Sequence, residues 1–262
     1  MPAKTAGSQN YSLPGASSGT ILSVSVISHR QGALVSTLLD DLSRCSEVPF
    51  EVIITINVPE SWSPSPERYR FPLKILSNAR PLGFGANQNR AFAHAKGAFF
   101  CVLNPDIRMS RDPFPRLVSD FTRPDIGAVA PTIVNSKGDT EDNARRFPTV
   151  ARLLKRIVGP ANGPDYDTGQ GIFSPDWVAG MFIVFRREAF ATARGFDEAY
   201  FLYYEDVDLC ARLRRLGWDI LVDPGATAIH DARRESHRNP VYLIWHFQSM
   251  GRYLLKRRTG RL

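Results

Sequence analysis

The patterned part of the chain begins with Ile21–Ser28, an apolar, β-branched run that predicts a strand. The period then changes. Over Gly32–Arg44, Leu34, Leu38, Leu39 and Leu42 fall on one face of a helix. Phe50–Ile56 reads as a second strand and Leu73–Leu76 as a third. Between them Val58–Arg70 holds three prolines and three serines, the composition of a loop. Phe84–Lys96 predicts a helix whose face of Ala86, Asn89, Ala93 and Lys96 is partly polar. Ala98–Leu103 is a buried strand, ended by Asn104-Pro105-Asp106.

Strands that alternate with helices imply an α/β fold with a parallel, doubly wound sheet. Ligands of such sheets sit beyond the carboxyl ends of the strands. Ser28, His29, Arg30, Asn57, Asn78, Arg80, Asn104 and Asp106 all fall at predicted strand ends. The second half has another rhythm. Gly127–Pro131 and Asp176–Phe185 read as strands, Val207–Arg215 as a helix, Trp218–Val222 as a short strand and Pro240–Arg257 as a final helix. The stretch Asp139–Ser174 carries Arg145, Arg146, Arg152, Lys155 and Arg156, and its Gly159–Gly171 part is either a mobile lid or an inert surface loop. The expected division is a mobile tail over 1–19, one domain over 20–240, and an amphipathic helix with a basic tail over 241–262.

With 262 residues, 43% of them hydrophobic, the chain has material for one large domain and is not disordered by composition. Its apolar runs are too short and interrupted for a membrane span, and residues 1–19 lack the apolar stretch of a secretory leader. Cys45, Cys101 and Cys210 are odd in number and far apart, which argues against a zinc site or a disulfide framework. Packed, reduced thiols in a cytoplasmic protein are expected. The net charge of +7 fits nucleic acid, anionic lipid or a phosphorylated small molecule. No nucleic-acid-binding motif accompanies it, so no nucleic-acid partner is expected. Much of the excess lies in Lys256, Arg257, Arg258 and Arg261, either a solvated tail or a contact with a membrane surface.

Four places carry residues suited to chemistry. Asp106 is a carboxylate delivered to a sheet edge by a buried strand, where a hard divalent cation would leave positions for diphosphate oxygens. An ordinary turn after a strand has the same composition. Glu205, Asp206 and Asp208 lie beside Tyr203 and Tyr204. On a helix Glu205 and Asp208 share a face that Asp206 does not, and a carboxylate beside an incoming hydroxyl acts as a general base. Asp208 reads as helix N-terminal chemistry, with an expected stability cost on removal under about 1 kcal/mol. His230 ends a small apolar stretch, as a structural histidine or as a ligand completing a metal site begun by Asp106. Trp177-Val178-Ala179-Gly180 offers a ring and a bare backbone to a sugar, or is a plain core strand. Gly83-Phe84-Gly85-Ala86-Asn87 resembles a phosphate-cradling turn without the lysine of a P-loop.

In this order the pieces resemble the inverting glycosyltransferases of family 2, which have a GT-A fold, and in particular their rhamnosyltransferase-like branch. The resemblance runs from about Ile21 to about His230. It rests on Asn78-Ala79-Arg80-Pro81-Leu82-Gly83-Phe84-Gly85-Ala86-Asn87-Gln88-Asn89, Leu103-Asn104-Pro105-Asp106-Ile107, Trp177-Val178-Ala179-Gly180, Gly195-Phe196-Asp197-Glu198 and Tyr204-Glu205-Asp206-Val207-Asp208-Leu209. It implies a Rossmann-like, mostly parallel central sheet flanked by helices, with a C-terminal acceptor-binding part. It implies a nucleoside diphosphate sugar donor and a glycan acceptor of cell-surface polysaccharide synthesis, with rhamnose the sugar the branch points to and a lipid-linked acceptor compatible with it.

Asn104–Asp106 then stands where the family has an Asp-any-Asp motif for Mg²⁺ or Mn²⁺, with His230 as a distal ligand. Asp206 matches the catalytic base and Glu205 its neighbour near the acceptor. Ser28, His29, Arg30, Asn57, Asn78, Arg80, Gly83, Gly85, Asn87 and Asn104 fall to the donor; Trp177, Ala179, Gly180 and Glu205 fall to the acceptor. One departure is plain: where the second strand of the family ends in an aspartate that reads the base, this chain has Ile56 and then Asn57.

The expected location is cytoplasmic, with peripheral contact at the inner face of the inner membrane through the last helix. Two rivals are a sugar-1-phosphate nucleotidyltransferase, whose glycine-rich basic loop after the first strand is missing here, and a module that binds nucleotide sugars without catalysis.

Overall fold

The computed structural model describes residues 19–45, 47–153, 164–167, 169, 171–230 and 240–262. The first half follows the hydrophobic pattern closely. Strands β1 (Leu22–Ser28), β2 (Phe50–Ile56), β3 (Leu73–Ser77) and β4 (Phe99–Leu103) alternate with helices α1 (Gly32–Leu42) and α2 (Phe84–Phe92). The loop between β2 and β3 holds only a single 3-10 turn, Pro66–Arg68. Helix α2 ends at Phe92, short of Lys96, because its next turn gives way to the sheet. There the backbone N–H groups of Lys96 and Gly97 donate to the Ser23 hydroxyl at the foot of β1.

The second half departs from the pattern. After β5 (Ile107–Arg108), α3 (Phe114–Ser119), β6 (Ile126–Val134) and β7 (Ala144–Arg145), the expected single strand Asp176–Phe185 is two. β8 (Trp177–Val178) pairs with β7 in a separate two-stranded sheet, and β9 (Phe182–Arg186) joins the main one. The break falls at Gly180, whose N–H turns to the Asp206 carboxylate instead of a neighbouring strand. Helices α4 (Arg187–Thr192) and α5 (Glu205–Arg215) follow. β10 (Asp219–His230) is far longer than Trp218–Val222, because register slips between Asp223 and Thr227 and pairing with β6 then resumes. Helix α6 (Pro240–Arg258) closes the chain. The expected mobile tail lies outside the described residues up to residue 18, as does much of Gly159–Gly171.

The main sheet has the order β3-β2-β1-β4-β9-β6-β10-β5. It is mixed and mostly parallel: β9 runs antiparallel between β4 and β6, and β5 antiparallel to β10. Alternate strand residues face opposite layers. Val24, Val52, Phe99, Cys101, Phe182 and Val184 pack with Leu38 and Leu39 of α1 and Phe114 of α3. Ile53, Phe100, Val102, Ile183 and Phe185 pack with Ala91 of α2, Phe190 of α4 and Leu209 and Leu213 of α5. The three cysteines are free and buried, and burial pushes the Cys45 and Cys210 thiols up to about 12.

Topology decides where the chemistry can lie. β1 to β4 are parallel, and β6 and β10 run the same way, so their carboxyl ends share one edge. The start of the antiparallel β9 comes to that same edge: the Asn104 N–H donates to the Met181 carbonyl at 2.8 Å.

Candidate active site

Asp106 stands just past β4, in a turn closed by the Ile107 N–H donating to the Asn104 carbonyl. β5 leaves that turn and pairs with the end of β10, setting His230 opposite Ile107. The His230 Nε2 lies 3.4 Å from Asp106 Oδ2, and its Nδ1 lies 3.0 Å from Glu141 Oε2. With a carboxylate on each nitrogen, the imidazole is held protonated up to about 9; Asp106 is the main cause, against the opposing effect of burial.

The other oxygen of Asp106, Oδ1, is buried and has no hydrogen-bond donor. Two ligands at about 2.1 Å from an octahedral cation stand roughly 3 Å apart, so the spacing of the Asp106–His230 pair fits such an ion, which would displace the Nε2 proton. A carboxylate on the remote nitrogen, here Glu141, is the usual brace of a ligating histidine. Among the described residues no set of three or more His, Cys, Asp or Glu side chains forms a metal cage.

Asp206 enters the same edge from the first turn of α5. Its Oδ2 accepts the Gly180 N–H at 3.0 Å and its Oδ1 the Val207 N–H at 2.8 Å. Glu205, one residue earlier, is buried, and its Oε2 has no donor. Burial raises the pKa of both carboxyls, and Asp206 raises that of Glu205 further. Asp206 has the larger offsetting help, from the Gly180 and Val207 N–H groups, its own N–H and the positive charge of Arg145, whereas Glu205 has only its own backbone N–H. Glu205 is therefore the member of the pair that keeps its proton, and Asp206 the one that ionises. The turn feeding α5 is strained: Tyr203 and Tyr204 both adopt left-handed backbone, at φ 69° and 66°. Such residues cost of order 1–3 kcal/mol each and gather at functional sites.

Asp208 belongs to a different structure. It is fully buried, accepts from Tyr200 Oη at 3.1 Å and Arg212 Nε at 2.6 Å, and pairs with Lys256 of α6. The expectation of a minor helix-start role is overturned, because this buried carboxylate joins two cations and a phenol.

On the donor side, exposed and buried groups separate. His29, Arg30 and Arg80 are exposed. Asn57, Asn78 and Asn87 are buried and bond mainly to each other and to the loop they hold. The Asn78 amide donates to Asn57 Oδ1 at 2.8 Å and Asn87 Oδ1 at 2.6 Å. Asn57 also accepts the Leu82 N–H, and Asn87 donates to the Leu82 and Gly83 carbonyls. Ser28 is buried too, bonded to Glu60, whose other oxygen accepts the Gly32 N–H at 3.1 Å at the start of α1.

Gly83 and Gly85 make room for protein, not for phosphate. A β-carbon on Gly83 would meet the Phe201 carbonyl at 2.7 Å, and one on Gly85 would meet Phe196 Cβ at 2.6 Å. On the acceptor side the Trp177 ring is buried with its N–H bonded to the Arg146 carbonyl, so it is not presented as a stacking face. The Ala179 N–H is likewise taken by the Asn143 carbonyl at 2.8 Å. Glu60, Glu141, Asn143 and Arg145 were not legible as site residues: each lies in a loop or a two-residue strand with no motif around it.

A mixed, mostly parallel sheet of this order flanked by helices is the GT-A fold. A mannosyltransferase from Pyrobaculum calidifontis, solved with GDP-Man and Mn²⁺, superposes with a TM-score of 0.62 at 17% identity, covering 92% of this chain and 66% of that one. The profile described as Glycosyl transferase family 2 matches residues 23–190, and the chain belongs to that family. It is an enzyme of the glycosyltransferase type and is rhamnosyltransferase-like. It is 29% identical to the N-acetylglucosaminyl-diphospho-decaprenol L-rhamnosyltransferase of Mycobacterium tuberculosis, over 92% of this chain and 86% of that protein. It is 27% identical to rhamnosyltransferase WbbL of Escherichia coli K12, over 89% and 92% respectively.

Proposed function

We propose that the chain transfers a rhamnose-type sugar, with inversion, from a nucleoside diphosphate to a hydroxyl of a lipid-linked glycan in cell-surface polysaccharide synthesis. One observation carries this reading: an ionisable, backbone-oriented Asp206 shares a sheet edge with the Asp106–His230 pair. Its two backbone donors aim the carboxylate while leaving it lone pairs for the acceptor. As the acceptor oxygen attacks the anomeric carbon, Asp206 takes its proton. The bond from that carbon to the diphosphate oxygen breaks on the opposite face, and the electron pair leaves with the diphosphate. Attack and departure on opposite faces invert the configuration.

Glu205, kept neutral, adds no second negative charge beside the base. His29, Arg30 and Arg80 are the exposed donor-side groups, with Asn104 and Asp106 at the diphosphate end. Asn57, Asn78 and Asn87 hold the loop that carries Arg80. Bound to Asp106 and His230, Mg²⁺ or Mn²⁺ would offset the charge developing on the diphosphate. Similarity to a decaprenyl-diphosphate-linked rhamnosyltransferase supports the lipid-linked acceptor.

The test is transfer from a panel of dTDP- and UDP-sugars to a prenyl-diphosphate N-acetylglucosamine, with the product linkage read by NMR. Mn²⁺ or Mg²⁺ should be required, and Asp106→Ala should abolish turnover and weaken nucleoside diphosphate binding. Full activity in EDTA would remove the metal from the mechanism, and a retained anomeric configuration would remove the single displacement.

A further inference from the structure

Helix α6 has two unlike faces. Ser249 and Tyr253 are its buried residues. Around them, Trp245 packs against Phe201 with ring centroids 4.6 Å apart, His246 touches the rings of Tyr203 and Tyr204, and the Ser249 hydroxyl donates to the Leu202 carbonyl at 2.8 Å. This face is fastened to the 200–204 turn that leads into Glu205 and Asp206.

The opposite face is apolar and open. Ile244, Phe247 and Leu255 are 55%, 61% and 63% exposed, with Val241 and Leu243 beside them. Their spacing of three, four and eleven residues puts them on one stripe down the helix. Among the described residues nine large apolar side chains are exposed; five are on α6 and a sixth, Phe201, packs on its Trp245. This is a concentration, not the scatter normal for a surface.

Charge identifies what the stripe meets. Residues 240–262 contain five Lys or Arg and no Asp or Glu. Lys256 is bound inward to Asp197 and Asp208. Arg252 and Arg258 stand on the outer side, and Arg252 lines a cleft of about 620 Å³ with Phe201, Trp245, Leu255 and Arg261. Among the described residues no helix is long and apolar enough to cross a membrane. An apolar stripe flanked by arginines and free of acids is the pattern of a helix lying in a membrane interface with anionic headgroups.

We infer that α6 docks the enzyme on an anionic lipid surface through Ile244, Phe247 and Leu255, with Arg252, Arg258 and Arg261 on headgroups. Through Phe201 and the 200–204 turn this surface is continuous with the acceptor side of the site. Docking therefore places Asp206 near a membrane-held acceptor; that consequence alone rests on the proposed function.

The test uses the full chain and vesicles of phosphatidylcholine, with and without phosphatidylglycerol, at low and high salt. Sedimentation with phosphatidylglycerol vesicles only, weakened by salt, is expected. Ile244→Ser, Phe247→Ser and Leu255→Ser together should lower binding on the order of a hundredfold. Arg258→Glu and Arg261→Glu should each lower it about fivefold or more. The serine variant should keep the Tm and the rate of transfer to a water-soluble, short-chain acceptor. Absence of wild-type binding, or a serine variant that binds equally well, overturns the inference. So does light scattering that shows a dimer abolished by the same substitutions, which would assign the stripe to a second copy of the chain. Vesicle binding by a chain that transfers no sugar would instead defeat the proposed function and leave docking standing.

Discussion

The two halves of the sheet edge handle their polar groups in opposite ways. At the ends of β1 to β3, Ser28, Asn57 and Asn78 are buried and bonded to protein, with Glu60, Asn87 and the Leu82 backbone completing the network. Around β4, α5 and β10 the carboxylates are left short. Asp106 Oδ1 and Glu205 Oε2 are buried without donors, and Asp206 relies on two backbone N–H groups. A satisfied network fixes the shape of a loop, whereas an unsatisfied buried carboxylate raises the free energy of the fold and persists where a ligand or a reaction needs it. The same contrast recurs within α5. Asp208 is fully partnered and Asp206 is not, two residues away.

The sharpest way to break this contrast is to exchange the roles of neighbouring carboxyls. Asp206→Asn should leave donor affinity and Tm nearly intact and cut turnover by a factor of roughly 10²–10⁴. Glu205→Gln reproduces the neutral acid and should change kcat by less than about tenfold, acting mainly on acceptor KM. Single-turnover rates and donor titrations decide; a dead Glu205→Gln beside an active Asp206→Asn would reverse the assignment.

Next in size is Asp208→Ala. It takes a carboxylate from Arg212, Lys256 and the Tyr200 hydroxyl, leaving Lys256 with Asp197 and Arg212 with the Ala193 and Gly195 carbonyls, and should cost about 3 kcal/mol in denaturant unfolding, with little loss of turnover in the folded fraction. Asn87→Ala should cost less, about 1–2 kcal/mol, because it removes one of the partners of the Asn78 amide and of the Leu82 and Gly83 carbonyls. Its kinetic mark should be a raised donor KM with kcat preserved, since the loop loosens while Asp206 is untouched.

The smallest effect lies away from the site. Burial and the neighbouring Asp223 push the Asp120 carboxyl up to about 7. Folded protein thus keeps this proton up to about pH 7, and the unfolded chain releases it near the ordinary carboxyl value of 3.8. The stability it contributes is complete in acid and lost as pH rises between those values. Asp120→Asn, which mimics the protonated acid, should match the parent near pH 4. At pH 8 it should be more stable by roughly 1–2 kcal/mol after allowance for solvent screening. A Tm difference that does not depend on pH would show that the carboxyl pair does not share a proton.

The strands and helices up to Leu103 were legible because each is a local pattern: period 2 or a continuous apolar run for a strand, period 3.6 for a helix. Asp106, His230 and the Glu205-Asp206 pair were legible through motifs. The split at Gly180 was not, because Trp177–Phe185 holds no polar residue to interrupt the run, and the glycine alone does not show that its N–H leaves the ladder for Asp206. Nor was the length of β10, since Pro224 and Gly225 look like a stop and only the partner strand β6 carries pairing across the slip.

By itself the sequence determined the α/β class, the family and the type of enzyme. All three follow from residue order and side-chain chemistry, which need no third dimension. Tertiary structure alone decided which polar groups face a ligand and which brace the fold. It set Asn87 inside and Arg80 outside, bound Asp208 to Lys256 from 48 residues away, and brought Glu141 to His230 across 89. It also turned the apolar stripe of α6 outward. Those outcomes depend on desolvation and on partners distant in the chain, and no local pattern encodes either.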